Sequence, residues 1–265
     1  MPIQYFKTNL RSTSIVFYSF LEAMNYYCVM QALSCNLTDC FLCRNCIPEW
    51  KEAIAVKKTT LQIRRGKQLF TEGEKVNGIF FINSGSVKVH KQWIDEKDLI
   101  LRFAKTGDIV GHRGLGGGDT YPIAATALED TKLCFINNEF LEATLKTNLP
   151  FTYKLMHFYA AELQNAEKRM RNLVHMEVKG RIADALLDIA AFFGLNEENY
   201  IAVTITRQDI ASYAGTTYET IFKFFTELIQ TKIISTSGKN IRIDQPDKLR
   251  QFISEPATKQ SSPQP

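Results

Sequence analysis

The 265-residue chain lacks the short motifs on which common enzyme chemistry depends. It has no P-loop, no Gly-x-Ser-x-Gly elbow, no His-Glu-x-x-His helix and no recognisable pair of catalytic carboxylates. An enzyme is therefore the least supported class. Charge of one sign is scarce too: 32 Lys and Arg against 28 Asp and Glu leave +4, too little to name a nucleic-acid partner from composition. Long unbroken apolar runs are missing. The stretch from Ile15 to Leu33, behind Lys7 and Arg11, is interrupted by Glu22 and Asn25, and no Ala-x-Ala-like cleavage site follows. That argues against export and membrane anchoring and for an N-terminal extension over residues 1–34. Glycine is absent from the first 65 residues. What is present, 45% apolar and 23% charged residues without a long low-complexity tract, suits ordinary globular cores, and the length suits two domains.

Ten of the fourteen glycines fall between Gly66 and Gly118 and punctuate short β-rich runs. These are Leu61 to Ile63, Ile79 to Ile82, Val87 to Val89 and Leu99 to Phe103, followed by Ile123 to Leu128 and Lys132 to Ile136. Turns such as Glu72-Gly73-Glu74, Asn83-Ser84-Gly85 and Thr106-Gly107-Asp108 separate them at the intervals of an antiparallel sandwich or jelly roll.

Glycine and proline then vanish from 151 to 179, where Leu155, Tyr159, Leu163, Ala166, Met170 and Leu173 recur in helical steps. A helix of about 25 residues is longer than a compact core needs, so the stripe predicts a seam shared by two chains, with an intrachain packing helix as the alternative. A second helical pattern runs from Arg181 to Phe193 and stops at Gly194.

Thr206 to Gly215 reads as a capped two-turn helix with Thr206 as N-cap, Asp209 in the first turn and Gly215 in a sharp turn. A second helix follows, opened by a Thr216-x-x-Glu219 capping-box pattern, with Ile221, Phe224, Phe225, Leu228 and Ile229 on one face. Thr217, Tyr218, Glu219, Phe222, Lys223 and Thr226 take the other. Short helix, glycine turn and amphipathic helix make a helix-turn-helix, whose second helix enters the DNA major groove. Ile233 to Ser235 and Ile241 to Ile243 flank residues 236–240 as a small wing, and the segment from Tyr200 to Ile243 carries +2.

Six cysteines stand at 28, 35, 40, 43, 46 and 134, four of them within twelve positions, which is no dispersed disulfide framework. Such spacing suits thiolates that converge on one metal. Zinc held by Cys35, Cys40, Cys43 and Cys46 is one reading, and reduced thiols without a metal are another. Cys28 reads as an apolar filler. The histidines at 90, 112, 157 and 175 lie far from the thiol pattern and take no ligand role.

The stretch Thr206-Arg207-Gln208-Asp209-Ile210-Ala211, then Gly215-Thr216-Thr217-Tyr218-Glu219-Thr220-Ile221 and Lys223, closing on Gly238-Lys239, resembles the helix-turn-helix signature of the Crp/Fnr transcription regulators. Gly66 to Glu74, Ile82 to Val89 and Gly107 to Gly111 are similar to the turns of that family's effector-binding jelly roll. The resemblance implies an α+β chain with an N-terminal antiparallel β jelly roll of the cyclic-nucleotide-binding type, a long dimerisation helix and a C-terminal winged helix-turn-helix. The divisions are an extension over 1–34, a Cys-rich segment and β-roll over 35–149, the dimerisation helix over 150–176, the DNA-binding domain over 177–254 and a disordered tail over 255–265. Its implied partners are double-stranded DNA, a second copy of the chain and RNA polymerase, in the cytoplasm and away from membranes.

Residue by residue, the resemblance puts Glu219 where the family has a glutamate that accepts from cytosine and Lys223 where it usually has a guanine-reading arginine. Lysine lacks the planar fork, so its discrimination is expected to be weaker or directed to phosphate. Tyr218 and Phe222 occupy positions usually smaller or basic, and Phe222 can either meet a thymine methyl or pack on a neighbouring turn. Thr206, Arg207, Thr217 and Lys239 complete the candidate DNA-contacting set. Members that bind cyclic nucleotides need a Gly-Glu-Leu turn for the ribose and Arg-Ser for the phosphate. Here Gly111-His112-Arg113-Gly114-Leu115 and Tyr121-Pro122-Ile123-Ala124 stand instead, which argues against cyclic AMP and reads Arg113 as salt-bridged on a loop. The oxygen-sensing branch holds a 4Fe-4S cluster on three N-terminal cysteines, the last often before Ile-Pro, and one at the end of the β domain. Cys40, Cys43, Cys46 with Ile47-Pro48, and Cys134 are similar, although the gap before Cys46 is shorter than the family's and Cys35 is an alternative. A redox, oxygen or small-molecule signal is the expectation. The rival is a metal- or ligand-binding redox protein that uses the winged helix only for protein contacts.

Overall fold

The computed structural model describes residues 28–29, 39–92 and 98–254. Cys35, the tail over 255–265 and the N-terminal extension, apart from the strand β1 (Cys28–Val29), lie outside them. Eight further strands build the β-roll: β2 (Thr59–Ile63), β3 (Gln68–Phe70), β4 (Gly78–Ser84), β5 (Ser86–Gln92), β6 (Asp98–Lys105), β7 (Ile109–Val110), β8 (Ala124–Ala127) and β9 (Thr131–Asn137). They pair antiparallel in two sheets, β1-β2-β9-β4-β7 and β3-β8-β5-β6, in agreement with the expected jelly roll. Each β-rich run expected from the sequence between Leu61 and Ile136 coincides with one of these strands. The pairings of β3 and β7 could not be read there, because two or three residues carry no period.

Strand β4 shows why a strand can be apolar throughout. Phe80 and Ile82 point between the sheets with Leu61, Phe70, Val87 and Leu133, whereas Ile79 and Phe81 face outward into a second core with Ile136, Leu42 and Phe151. Helices cover that outer face: α1 (Phe41–Asn45), α2 (Trp50–Lys57), α3 (Asn138–Thr147) and the first turns of α4 (Leu149–His175). Burial on both faces removes the polar-apolar alternation a one-sided strand would show.

The 27-residue α4 begins with Pro150 in its first turn, where the missing N–H costs nothing. After it come α5 (Val178–Phe193), α6 (Arg207–Ala214), α7 (Tyr218–Gln230), the hairpin β10 (Ile234–Ser237) and β11 (Asn240–Ile243), and α8 (Pro246–Ser254). Their core of Ile182, Leu186, Ile210, Ile221, Phe225 and Leu228 also takes in Ile100 and Phe103 of β6 and Leu128. The β-roll and the C-terminal module are thus fused through shared apolar surface. Among the described residues no helix is long and apolar enough to cross a membrane.

Candidate functional site

Helix α6 starts where the sequence says it should. The Thr206 hydroxyl accepts from the Asp209 amide at 3.0 Å while the Asp209 carboxylate takes the Thr206 amide at 3.2 Å, a reciprocal cap. Gly215 then turns the chain at φ 64°, ψ 49°, and a Cβ there would sit 2.5 Å from Leu173 Cδ2, so both the backbone and the close approach call for glycine. The N-cap of α7 is Thr217, whose hydroxyl accepts from the Thr220 amide. The cap therefore falls one residue later than the Thr216-x-x-Glu219 spacing suggests, because Gly215 and Thr216 are both spent in the turn. Ile221, Phe224, Phe225 and Leu228 are buried; Ile229, expected beside them, is 38% exposed near the end of the helix.

On the opposite side of α7, Thr217, Tyr218, Glu219, Phe222 and Lys223 are all exposed, and Lys239 is exposed at the tip of the two-residue wing turn. The Glu219 carboxyl is held below its usual range, first by its own backbone amide, then by the Thr217 hydroxyl, with Lys223 adding a smaller effect. It is an acceptor-only group at neutral pH, the form that a cytosine amine requires. Thr206 and Arg207 are half-buried at the start of α6. The Thr206 hydroxyl is committed to Asp209, and the Arg207 guanidinium lies 5.9 Å from the Phe222 ring centre and 5.4 Å from that of Phe225.

Residues with no sequence signature fix this unit in place. Arg181 of α5 donates to the carbonyls of Ala214 at 3.0 Å, Gly215 at 3.2 Å and Met176 at 3.0 Å, tying the glycine turn to the end of α4. Arg169 of α4 lies over the Tyr213 ring and donates to the carbonyls of Tyr213, Ile100 and Leu101. Lys88 of β5 meets Asp209 at 2.6 Å. Each is an ordinary cation in the sequence, and these partners, mostly main-chain oxygens, lie at least 33 residues away along the chain, Met176 excepted.

The stripe expected on α4 divides between two settings. Leu155 is 4% exposed in the chain's own core, and the half-buried Tyr159 donates its hydroxyl to the His112 carbonyl at 2.5 Å. Leu173 packs against the Gly215 turn. Of the expected stripe, Leu163, Ala166, Met170 and Leu173 are exposed. The open apolar row is instead Leu149, Tyr153, Met156, Leu163, Met170 and Val174, between 56% and 74% exposed, with Ala160 and Glu167 completing heptad steps of four and three. Two stripes cross at Leu163 and Met170, and periodicity alone could not say which one the β-roll would cover.

Inside the β-roll, aromatic rings fill the space between the sheets. Phe70 stacks on Tyr121 at 4.1 Å and on Phe80 at 5.7 Å, Phe80 meets Phe135 at 5.0 Å, and the Tyr121 hydroxyl donates to the Gly78 carbonyl at 2.7 Å. Arg113 pairs with Glu162 at 3.3 Å, and the same carboxylate oxygen faces Arg102 at 3.4 Å.

Cys40, Cys43, Cys46 and Cys134 are all buried in one core, with Cys134 on the outer face of β9 and the others on and beside α1. Burial, and secondarily Cys40, pushes the Cys46 thiol up to about 12. Among the described residues, however, no three Cys, His, Asp or Glu side chains are set to hold one metal ion. Cys35, required for the alternative zinc site, is not described.

A model of the cyclic nucleotide-binding domain matches residues 60–148 and one of the Crp-like helix-turn-helix domain matches residues 180–252. The chain is 29% identical over 217 residues to the anaerobic regulatory protein of Bacillus subtilis, which covers 80% of this chain and 90% of that one. It is 25% identical over 218 residues to the CRP-like cAMP-activated global transcriptional regulator of Mycobacterium tuberculosis, covering 80% and 97% respectively. Among solved structures, FixK2 from Bradyrhizobium japonicum matches with a TM-score of 0.66 at 26% identity, over 76% of this chain and 99% of that one. With both modules matched in the same order as the helix-turn-helix and jelly-roll geometry, and with relatives matched over most of their length, the chain belongs to the Crp/Fnr family of transcription regulators.

Proposed function

We propose that the chain works in the cytoplasm as a homodimer that reads double-stranded DNA with α7, engages RNA polymerase and answers a redox or oxygen signal rather than cyclic AMP. The observation that carries this reading is the sidedness of α7. Four apolar side chains anchor it, and Tyr218, Glu219, Phe222 and Lys223 stand in solvent on the other flank. The open heptad row of α4 supports pairing of two copies, which would set two recognition helices about 34 Å apart on an inverted-repeat site. The division into a Cys-rich segment and β-roll over 35–149, a pairing helix over 150–176 and a DNA-binding domain over 177–254 follows from the same reading.

The stacked rings within the β-roll, and the absence of a ribose-holding Glu and a phosphate-holding Arg-Ser from the sequence, speak against cyclic AMP there. The cysteine core supports a redox signal through its neighbours. Phe41, next to Cys40, packs its ring against Phe151 at 5.9 Å and Phe158 at 5.6 Å, both on α4, so a change at the thiols reaches the pairing helix directly.

Duplexes selected from a random pool by the full chain should share an inverted repeat. Lys223→Ala should weaken binding to the selected duplex more than to unrelated DNA, and equal losses would confine Lys223 to phosphate contact. For the signal, an oxygen-free preparation and one exposed to air should differ in affinity for that duplex by at least about fivefold. Equal affinities would sink the redox reading, and iron, sulfide and zinc measured in the oxygen-free sample decide whether the thiols carry a metal.

A further inference from the structure

Phe222 stands in the middle of the open flank of α7, one turn beyond Tyr218, with 51% of its surface in solvent. The fold does not require it there, since the buried face of the helix is complete with Ile221, Phe224, Phe225 and Leu228. Nor is the ring loose. The Arg207 guanidinium lies within 5.9 Å of its centre and within 5.4 Å of the fully buried Phe225, so one cation braces the exposed ring against the core of the module. Glu219 and Lys223 flank the ring on the same side of the helix and supply an acceptor and a donor for polar base edges. An aromatic ring can serve neither purpose. The one apolar group that a base pair presents in the major groove is the C5 methyl of thymine.

We infer that Phe222 is a specificity-determining residue that selects thymine through its C5 methyl, next to the base pair met by Glu219 and Lys223, with Arg207 as the brace that positions the ring. The inference rests on the DNA-reading role proposed for α7 and adds a preference that Glu219 and Lys223 cannot supply.

The test replaces thymine by uracil, one position at a time, in the duplex selected by the full chain, which deletes a methyl group and leaves every hydrogen-bonding edge intact. At one thymine in each half-site, uracil should weaken binding of the unaltered protein about fourfold, the worth of one methyl taken out of water. Phe222→Ala should bind the thymine and uracil duplexes equally, and Phe222→Leu, which keeps an apolar side chain on the same helix, should retain part of the difference. If no thymine-to-uracil change is felt by the unaltered protein, or if Phe222→Ala feels it as strongly, the inference is overturned while the DNA-reading role stands. A random pool that yields no preferred duplex overturns both.

Discussion

At the scale of single residues, His112 is the least satisfied side chain of the β-roll. Its imidazole is buried between the rings of Phe158 at 4.9 Å and Tyr159 at 5.3 Å, and both nitrogens lack a hydrogen-bond partner among the described residues. Burial, then the positive charges of Arg102 and Arg113, hold its pKa well below 6.5, with Glu162 paired to those same arginines. A base whose folded-state pKa is depressed contributes stability above its unfolded value and loses it as the pH falls. Unfolding free energy should therefore drop below about pH 6.5, by up to about 1.4 kcal/mol per pH unit. Urea titrations of His112→Phe should lack this acid limb and match the parent within about 1 kcal/mol at neutral pH; an unchanged slope would place the titrating group elsewhere. The sequence flagged the surrounding turn as unfit for a cyclic nucleotide, yet gave no hint that position 112 would be sealed by α4. The neighbours that seal it lie more than forty residues away.

At the scale of elements, α4 separates what periodicity reveals from what it hides. Its existence, length and helical character were legible from the missing glycine and proline, but its orientation was not. Rows through Leu155 and through Met156 are both largely apolar on paper, and only the β-roll packed against one of them decides which is left open. The two rows should respond differently to substitution. Leu163→Glu, on the open row, should raise the dimer dissociation constant at least tenfold in sedimentation equilibrium and leave the thermal midpoint of the separated chains nearly unmoved. Leu155→Ala should instead cost about 2–5 kcal/mol of folding stability through the cavity it opens. Glu167 interrupts the open row, and on a parallel twofold pairing it faces its own copy. Glu167→Leu should accordingly tighten the dimer. Should Leu163→Glu leave association untouched, α4 does not form the seam.

At the scale of the whole molecule, the question is how an event in the β-roll reaches α7. The helix-turn-helix was legible because its determinants are local: a cap at Thr206, a glycine at 215 and an apolar face two turns long. Its attachment was not, because it is made across the chain. Phe103 of β6 meets Phe193 at 5.5 Å and Tyr213 at 4.8 Å, Lys105 lies over the Phe192 ring at 4.7 Å, and Lys88 of β5 reaches the capping Asp209 of α6 at 2.6 Å. Lys88 and Asp209 are 19% and 10% exposed in their side chains, so this pair is largely shielded from water. Removing one partner strands the other, at a cost of about 1–3 kcal/mol. Because the two modules share one core, the parent should unfold in a single transition. Lys88→Met keeps the apolar stem and deletes the charge. It should therefore lower stability by that amount and loosen α6 from β5 without disturbing the Thr206 cap, so that amide exchange quickens at the α6–β5 contact more than within α7. If the same substitution also changes affinity for the selected duplex, although Lys88 lies outside the proposed reading surface, the latch helps to set the orientation of α7. Unchanged affinity alongside the loss of stability would confine it to holding the modules together.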